Sequence, residues 1–173
     1  MQPAEIAALF DHLYFVRDRI LGVADAPGVV LVDPSPPTGR DLRGTLVHEL
    51  DVEWSWRVRL ASADRTQFAQ TDEELDAADF PDVEAIRKHW AADEAEMRAW
   101  LGTLGHLELD GPCGTETTGD GHPFWYHLQH LYSHALQQFA DAATLLSASG
   151  HSPGELDFLE WAEAQSSVRD LAE

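Results

Sequence analysis

Residues 123–150 read PFWYHLQHLYSHALQQFADAATLLSASG, and this stretch decides the fold of the chain. Its apolar residues recur every three or four positions, which is the spacing of one face of an α-helix. They are Trp125, Leu128, Leu131, Leu136, Phe139, Ala143 and Leu146. Because glycine commonly closes a helix, we predict one long helix that begins near Pro123 and ends at Gly150.

Two long helices are predicted in the first third of the chain by the same spacing. The first runs from Pro3 to about Ala24. A connection rich in proline and glycine follows, and such a connection cannot continue a helix. Thr38 and Asp41 then resemble a capping box, the pair of polar residues that marks a helix start, and the second helix continues to Leu60.

A third long helix is predicted in the middle of the chain. Pro81 suits the first position of a helix, and the apolar pattern that follows it ends near Gly102. The polar and acidic residues 62–80 before it are predicted as a connection with one helical turn. Residues 106–122 after it are predicted as a loop or a brief pair of extended segments.

A short fifth helix is predicted near the C-terminus. Ser152 is a favourable N-cap, Pro153 suits the first turn, and Glu155 completes a capping box. No run of β-branched residues with period two is long enough to build a sheet. The predicted fold is therefore all-α, a four-helix bundle with a short additional C-terminal helix. A single domain is expected over residues 1–165, followed by a C-terminal tail over 166–173.

The composition restricts the class of protein. The chain has 173 residues, 44% of them apolar, and 31 Asp and Glu against 11 Lys and Arg give a net charge of -20. This length and apolar content suit one folded domain, whereas the charge repels nucleic-acid phosphates and anionic lipid headgroups. We therefore expect no nucleic-acid partner and no membrane partner. The single cysteine, Cys113, excludes an internal disulfide, and the lack of a signal peptide or long apolar segment predicts a cytoplasmic protein.

The placement of the histidines predicts a metal site. His127, His130 and His134 lie on one side of the long helix quoted above, and the imidazoles of His130 and His134, one turn apart, can converge on one ion. A first-row divalent cation needs three or four nitrogen or oxygen donors, and His48 on the second helix is the candidate for the third. Gly44, one turn before it, would let a facing helix or a substrate approach. The alternative is that these histidines only hydrogen-bond each other, the backbone or water.

Three segments resemble a known family. Residues 46–54, LVHELDVEW, and residues 127–137, HLQHLYSHALQ, are similar to the two signature helices of the DinB/YfiT-like metalloenzyme superfamily. Residues 150–159, GHSPGELDFL, resemble the end of the domain in that family. The resemblance covers nearly the whole chain in the order of its elements. It implies a four-helix bundle that holds a divalent metal ion and that commonly forms a homodimer.

The resemblance also implies which residues hold the metal. In the family, one histidine from the second helix and two from an H-x3-H motif bind the ion, which corresponds to His48, His130 and His134 here. Imidazole ligands suit zinc or nickel, with iron and manganese as further candidates. The family commonly reads His-Arg-Gly-Gln from its last ligand onward, whereas residues 134–137 read HALQ and lack the basic residue.

Acidic residues and one more histidine are candidates for catalysis. Glu49, Asp51 and Glu53 follow His48, where a carboxylate could orient a ligand imidazole or act as a general base; the alternative is a solvated helix face. We single out Glu53 because the family often has an acidic residue there. His127 is the second catalytic candidate, and it could instead be a fourth ligand or a hydrogen-bonded core histidine.

Two other metal chemistries do not fit the spacing. A di-iron carboxylate bundle needs Glu-x-x-His pairs, and no histidine of this chain has a glutamate three residues before it. A zincin needs His-Glu-x-x-His, whereas Val52 stands four residues after His48. Both classes are therefore excluded.

Two functional hypotheses follow. The first is a metalloenzyme, either a metal-dependent hydrolase or an S-transferase that uses a low-molecular-weight thiol, an activity that the resemblance implies. In both reactions the cation acidifies a bound water or thiol. The alternative is a non-catalytic bundle protein induced by stress or DNA damage, with a structural or vestigial metal site. We expect a small-molecule substrate, and Trp54 or Trp56 facing a homodimer partner because the two lie on different faces of one helix.

Overall fold

Six α-helices make up most of the part of the chain that the structure describes. The structure is a computed structural model, and it describes residues 1–62, 74–113 and 121–170. The helices are α1 (Pro3–Ala24), α2 (Leu42–Leu60), α3 (Val83–Leu101), α4 (His106–Leu109), α5 (Trp125–Ala148) and α6 (Phe158–Asp170). Two strands of two residues each, β1 (Pro112–Cys113) and β2 (His122–Pro123), pair in antiparallel orientation. The predicted all-α class is confirmed.

The four long helices contact one another in a closed cycle. α5 packs against α1 and α2, and α3 packs against the same two helices. The buried positions of α1 and α5 recur with the helical period, so each of these helices presents an apolar face to its neighbours. The largest fully buried side chains are Trp90, Phe10, Phe124, Phe139, Ile6, Leu13, Ile20, Leu21, Leu46, Leu50, Leu60 and Ile86. Each contributes about 1.5–3 kcal/mol relative to an exposed position, and this core sets the spacing of α2 and α5.

α1 and α5 match their predicted positions. α1 begins at Pro3 and ends at Ala24, as the apolar spacing predicts. At its start the Glu5 carboxylate accepts a hydrogen bond from the backbone N–H of Gln2 (2.8 Å), which satisfies one free donor of the helix end. α5 ends just before Gly150, whose φ of +86° is the left-handed conformation that favours glycine.

The start of α2 differs from the prediction. Asp41 is the N-cap, since its Oδ1 accepts a hydrogen bond from the N–H of Gly44 (2.7 Å). Thr38 is not part of a capping box, because its hydroxyl donates to the carbonyl of Arg40 (2.6 Å). A Cβ on Gly44 would lie 3.0 Å from Asp41 Oδ1, so Gly44 makes room for its own N-cap and not for the facing helix that we expected. Threonine and aspartate both cap helices, and the sequence does not show which side chain reaches a free N–H.

α3 also begins later than predicted. Pro81 precedes the N-cap, which is Asp82, and the Asp82 carboxylate accepts a hydrogen bond from the N–H of Ala85 (2.8 Å). The carboxylate satisfies a donor that the helix start leaves unpaired, and proline has no side chain that does so.

The predicted start of the C-terminal helix is wrong. Ser152 and Glu155 bind N–H groups within a turn that precedes α6, and Gly154 in that turn has a φ of +77°. The N-terminal cap is Asp157, whose carboxylate accepts a hydrogen bond from the second N–H of the helix (2.8 Å). Closely spaced capping residues compete for one helix start, and the glycine turn selects the later one. The predicted domain boundary at residue 165 falls inside α6.

The two connections are described only in part. The helical turn predicted within 62–80 corresponds to a 3-10 turn at Ala77–Asp79, and residues 63–73 lie outside the described residues. In the second connection the β1–β2 pair confirms the extended segments, and the single turn of α4 is an addition that the sequence did not predict. Residues 114–120 lie outside the described residues.

None of the described helices is both long enough and apolar enough to cross a membrane. α5 is the longest, with 24 residues, and its sequence contains three histidines.

Candidate functional site

The packing of α5 on α2 brings together the three histidines predicted as metal ligands. The ring centroids of His48 and His134 are 5.5 Å apart, and those of His130 and His134 are 6.1 Å apart. His130 is exposed, and the other two are partly buried. The three rings therefore line a face of the α2–α5 contact that solvent can reach.

These ring separations fit imidazoles that share one ion. A ligand nitrogen lies about 2.1 Å from a first-row cation and about 1 Å from its own ring centroid, so two ligand rings stand about 5 to 6.5 Å apart. Both measured separations, 5.5 and 6.1 Å, fall in this range. Among the described residues, however, no three His, Cys, Asp or Glu side chains form a complete group that could hold a metal ion. The rings have the spacing of ligands, and the metal stays a prediction.

Glu49 is the carboxylate that contacts these histidines. Its Oε2 lies 2.7 Å from Nδ1 of His134, and its side chain is only 1% exposed. Because this contact occupies Nδ1, Nε2 is the nitrogen of His134 that can face an ion. A carboxylate that holds the ring of a ligand histidine in this way is a recurrent feature of metal sites.

Burial opposes charge on this pair. It raises the pKa of the Glu49 carboxyl well above its ordinary value, and the carboxylate of Glu53, one turn away, raises it further. Burial also lowers the pKa of His134, and the neighbouring His48 and His130 lower it further. The pair therefore favours a neutral carboxyl and a neutral imidazole joined by one hydrogen bond over a buried ion pair.

Glu53, a predicted catalytic residue, faces the interior of the helix assembly. Its Oε1 accepts a hydrogen bond from the Tyr14 hydroxyl (2.6 Å), and its Oε2 accepts one from the indole N–H of Trp90 (2.8 Å). Burial raises the pKa of Glu53 to about 7, although these two hydrogen bonds lower it. The carboxyl thus bridges α1 and α3 and makes no described contact with the three imidazoles. Its role in catalysis stays a prediction.

The solvated-face interpretation is wrong for two of the three carboxylates. Glu49 and Glu53 are both buried, because they lie one turn apart on the side of α2 that faces the core. Asp51 lies between them and points to another side of the helix, where it accepts a hydrogen bond from the backbone N–H of Leu75 (2.9 Å). Asp51 therefore anchors the connection that leads to α3.

His127, the other predicted catalytic residue, is buried beside Trp56. The two ring centroids are 6.1 Å apart, and Trp56 also lies 5.3 Å from the ring of His130. Burial lowers the pKa of His127, and a hydrogen bond with the backbone of Phe124 raises it. This environment matches the hydrogen-bonded core histidine, one of the three roles considered for this residue. A catalytic role for His127 stays a prediction.

Arg40 belongs to the site, and the sequence analysis missed it. After burial, which has the larger effect, the charge of Arg40 lowers the pKa of His48, and it also lowers that of His134. Its Cβ and Cδ lie 3.5 and 3.9 Å from the position that a Cβ on Gly44 would take. The spacing of four between Arg40, Gly44 and His48 was visible in the sequence. Arg40 precedes the N-cap of α2, however, so helical spacing does not predict where its side chain lies.

Three other candidates lie outside the group of three rings. His12 is buried, with Nδ1 3.0 Å from the hydroxyl of Tyr132 and Nε2 donating to the carbonyl of Leu156 (3.0 Å), so it is a structural residue. His122 is exposed and stacks on an aromatic ring of α5. Cys113 is buried on β1.

No protein-family model matches this chain, and no curated protein matches it. The DinB resemblance therefore rests on the segments 46–54, 127–137 and 150–159 alone. Membership of that superfamily stays a prediction.

Proposed function

We propose that this protein is a DinB-like metalloprotein that binds one divalent ion, zinc or nickel, at His48, His130 and His134. The observation that carries the proposal is the 2.7 Å contact between His134 Nδ1 and the buried carboxyl of Glu49. A buried carboxylate without a cation is costly, and an ion on the opposite nitrogen of His134 offsets that cost. The ring separations of 5.5 and 6.1 Å support the same ligand set.

The helix contacts support a four-helix bundle as the fold of this metalloprotein. α1, α3, α2 and α5 contact one another in a closed cycle around a shared apolar core. Four-helix bundles build metal sites from side chains on facing helices, and α2 and α5 are such a pair.

Each residue has a distinct task in the proposed site. His130 and His134 supply nitrogens from one rigid helix, one turn apart, and His48 supplies the third from α2. Glu49 orients the ring of His134 by accepting the proton of Nδ1. Because all three ligands are neutral, the ion keeps its full charge and, when bound, favours the deprotonated form of a water or thiol ligand.

The exposure of the ligands supports an enzyme. His130 is exposed, and His48 and His134 are partly buried, so a small molecule can reach the three rings. Catalytic metal sites keep a coordination position open, whereas structural sites are closed by protein ligands. We therefore propose a metal-dependent hydrolase or a low-molecular-weight-thiol S-transferase, assembled as a homodimer.

Metal analysis tests the proposed ligand set. The protein is purified without a polyhistidine tag, loaded with zinc, desalted and analysed by mass spectrometry of the element. We expect about one ion per chain in the wild type and none in His134→Ala. His106→Ala is the matched control, because it removes an exposed histidine on α4, and it should keep the full metal content. A wild type without zinc, or an equal metal content in His134→Ala, contradicts the proposal.

Thermal unfolding with and without chelator tests the enzymatic part. We expect chelation to lower the melting temperature only slightly, because the apolar core is continuous without the ion. Hydrolysis of a chromogenic ester or conjugation of a thiol to an electrophilic dye should be lost completely. Activity that survives complete metal removal contradicts a metalloenzyme.

One observation favours the second candidate, a non-catalytic bundle protein with a structural or vestigial site. In the part of the chain that the structure describes, no three potential ligand side chains form a complete metal-holding group. A large fall in melting temperature on chelation, with no turnover in any assay, would favour a structural ion.

A further inference from the structure

Arg40 differs from most arginines of the described chain. Arg17, Arg57 and Arg98 form ion pairs with carboxylates of neighbouring helices. The guanidinium of Arg40 has no ion pair or hydrogen bond with any described residue. In a chain with a net charge of -20, carboxylates are abundant, so a cation that pairs with none of those described is available to a ligand.

The position of Arg40 directs its charge toward the three histidines. Its side chain lies in van der Waals range of the position that a Gly44 Cβ would take, at 3.5 and 3.9 Å, and therefore covers the first turn of α2. His48 follows one turn later on the same helix. The charge of Arg40 acts on both His48 and His134, which belong to different helices. The guanidinium thus lies on the side of α2 that faces α5.

Nearby acidic groups do not cancel this charge across the site. Asp51 and Glu74 oppose the effect of Arg40 at His48. Asp51 already accepts a hydrogen bond from a backbone N–H (2.9 Å), which reduces its availability to a cation. At His134 no carboxylate opposes Arg40, and the other neighbours that act in the same direction are imidazoles. The site therefore combines three imidazoles with one permanent cation.

We infer that Arg40 selects the charge of the substrate, by binding a carboxylate or similar anionic group on a small molecule whose heteroatom reaches His48, His130 and His134. This inference rests on the proposed function, because an ion at the histidines must hold the heteroatom. A guanidinium presents a planar fork of N–H donors that matches the two oxygens of a carboxylate. The acidic surface repels anions elsewhere, so this cation defines where such a ligand binds. For the S-transferase reaction, the substrate class is a low-molecular-weight thiol that carries a carboxylate.

Two thiols of similar size test the inference by calorimetry on the zinc-loaded protein. The probes are 3-mercaptopropionate, which is anionic, and 2-mercaptoethanol, which is neutral. In Arg40→Gln we expect the Kd of 3-mercaptopropionate to rise about threefold to fivefold, the range for a solvent-exposed charge pair, and that of 2-mercaptoethanol to stay unchanged. Arg40→Lys keeps the charge and should keep most of the preference. Arg43→Gln removes an arginine three residues further on and should change neither Kd.

Three outcomes overturn the inference, and they are distinguishable. An unchanged ratio of the two dissociation constants in Arg40→Gln shows that Arg40 does not recognise charge, while the metal proposal stands. An equal loss for both thiols shows a general distortion of the site. A wild-type protein that does not bind zinc contradicts the proposed function, and the inference fails with it. Raising the salt concentration from about 0.05 M to about 0.5 M should also reduce the wild-type preference, because salt screens exposed charges.

Discussion

Glu49 and Glu53 stand one turn apart on α2 and are almost equally buried, at 1% and 2% exposure, yet they serve different regions of the molecule. Glu53 accepts hydrogen bonds from Tyr14 on α1 and Trp90 on α3, two neutral donors. Glu49 contacts one imidazole, His134, at the accessible side of α5. The difference teaches that burial alone does not define the role of a carboxyl. Paired donors make it a link between helices, whereas an imidazole partner gives it influence over a ligand site.

Glu53→Leu should have the largest effect, and it falls on stability. The change leaves the Tyr14 hydroxyl and the Trp90 indole N–H buried without an acceptor. Such donors cost about 1–3 kcal/mol each, so we expect the free energy of unfolding to fall by about 3–4 kcal/mol. Urea unfolding of the metal-free protein at about pH 5.5 measures it. Glu53→Gln keeps an acceptor oxygen and should lose less than half as much; equal stability of the wild type and Glu53→Leu would break the comparison.

The pH dependence of stability should isolate Glu53 from its neighbour. Burial raises the pKa of Glu53 from 4.5 to about 7; Asp93 also raises it, while Tyr14, Trp90 and Arg17 lower it. In this window the folded chain holds a proton that the unfolded chain has released. The resulting stability is fully present below about pH 4.5 and is lost as the pH rises to about 7, a change of about 3 kcal/mol.

Urea unfolding of the wild type and Glu53→Gln across this pH range checks the prediction. The neutral amide cannot titrate, so the variant should lose less stability than the wild type as the pH rises. The other buried carboxyl of α2 contributes to both proteins, and the difference between them reports Glu53. Parallel profiles would place the pKa of Glu53 near its ordinary value.

Glu49→Gln should show the opposite profile, with a small effect on stability and a clear effect on metal affinity. The amide can still accept the hydrogen bond of His134 but carries no negative charge to offset a cation. Changes of this kind weaken metal binding about 10- to 100-fold, and we expect the same for zinc, measured by competition with a chromogenic chelator. Glu53→Gln is the matched control and should bind zinc like the wild type. Equal losses in both variants would remove the distinction between the two carboxyls.

Asp51→Ala should have the smallest effect. It removes one hydrogen bond to the backbone N–H of Leu75, which is partly accessible to water, so we expect a loss of about 1 kcal/mol or less in thermal or urea unfolding. Zinc affinity should stay within about twofold of the wild type, because Asp51 points away from the three rings. A tenfold fall would mean that Asp51, and not Glu49, supports the ligands.

Local patterns predicted the helices well and their starts poorly. The bounds of α1 and the ends of α5 follow from apolar spacing and a closing glycine, which are properties of a few neighbouring residues. The starts of α2 and α6 lie near several residues that can cap a helix, and Asp41 and Asp157 do so. Which one caps depends on the path of the preceding chain, and the residue types alone do not determine that path.

The sequence by itself determined that the chain is helical and that His127, His130 and His134 share one side of a helix, because the helical period orients each side chain about its own axis. It also identified His48 and the three carboxylates near it as candidates. Only the tertiary structure decided that Glu49 meets His134, that Glu53 meets Tyr14 and Trp90, and that Arg40 acts on both helices. These contacts depend on the rotation and separation of α2 relative to its neighbours, which are set by the packing of core side chains that are distant in sequence.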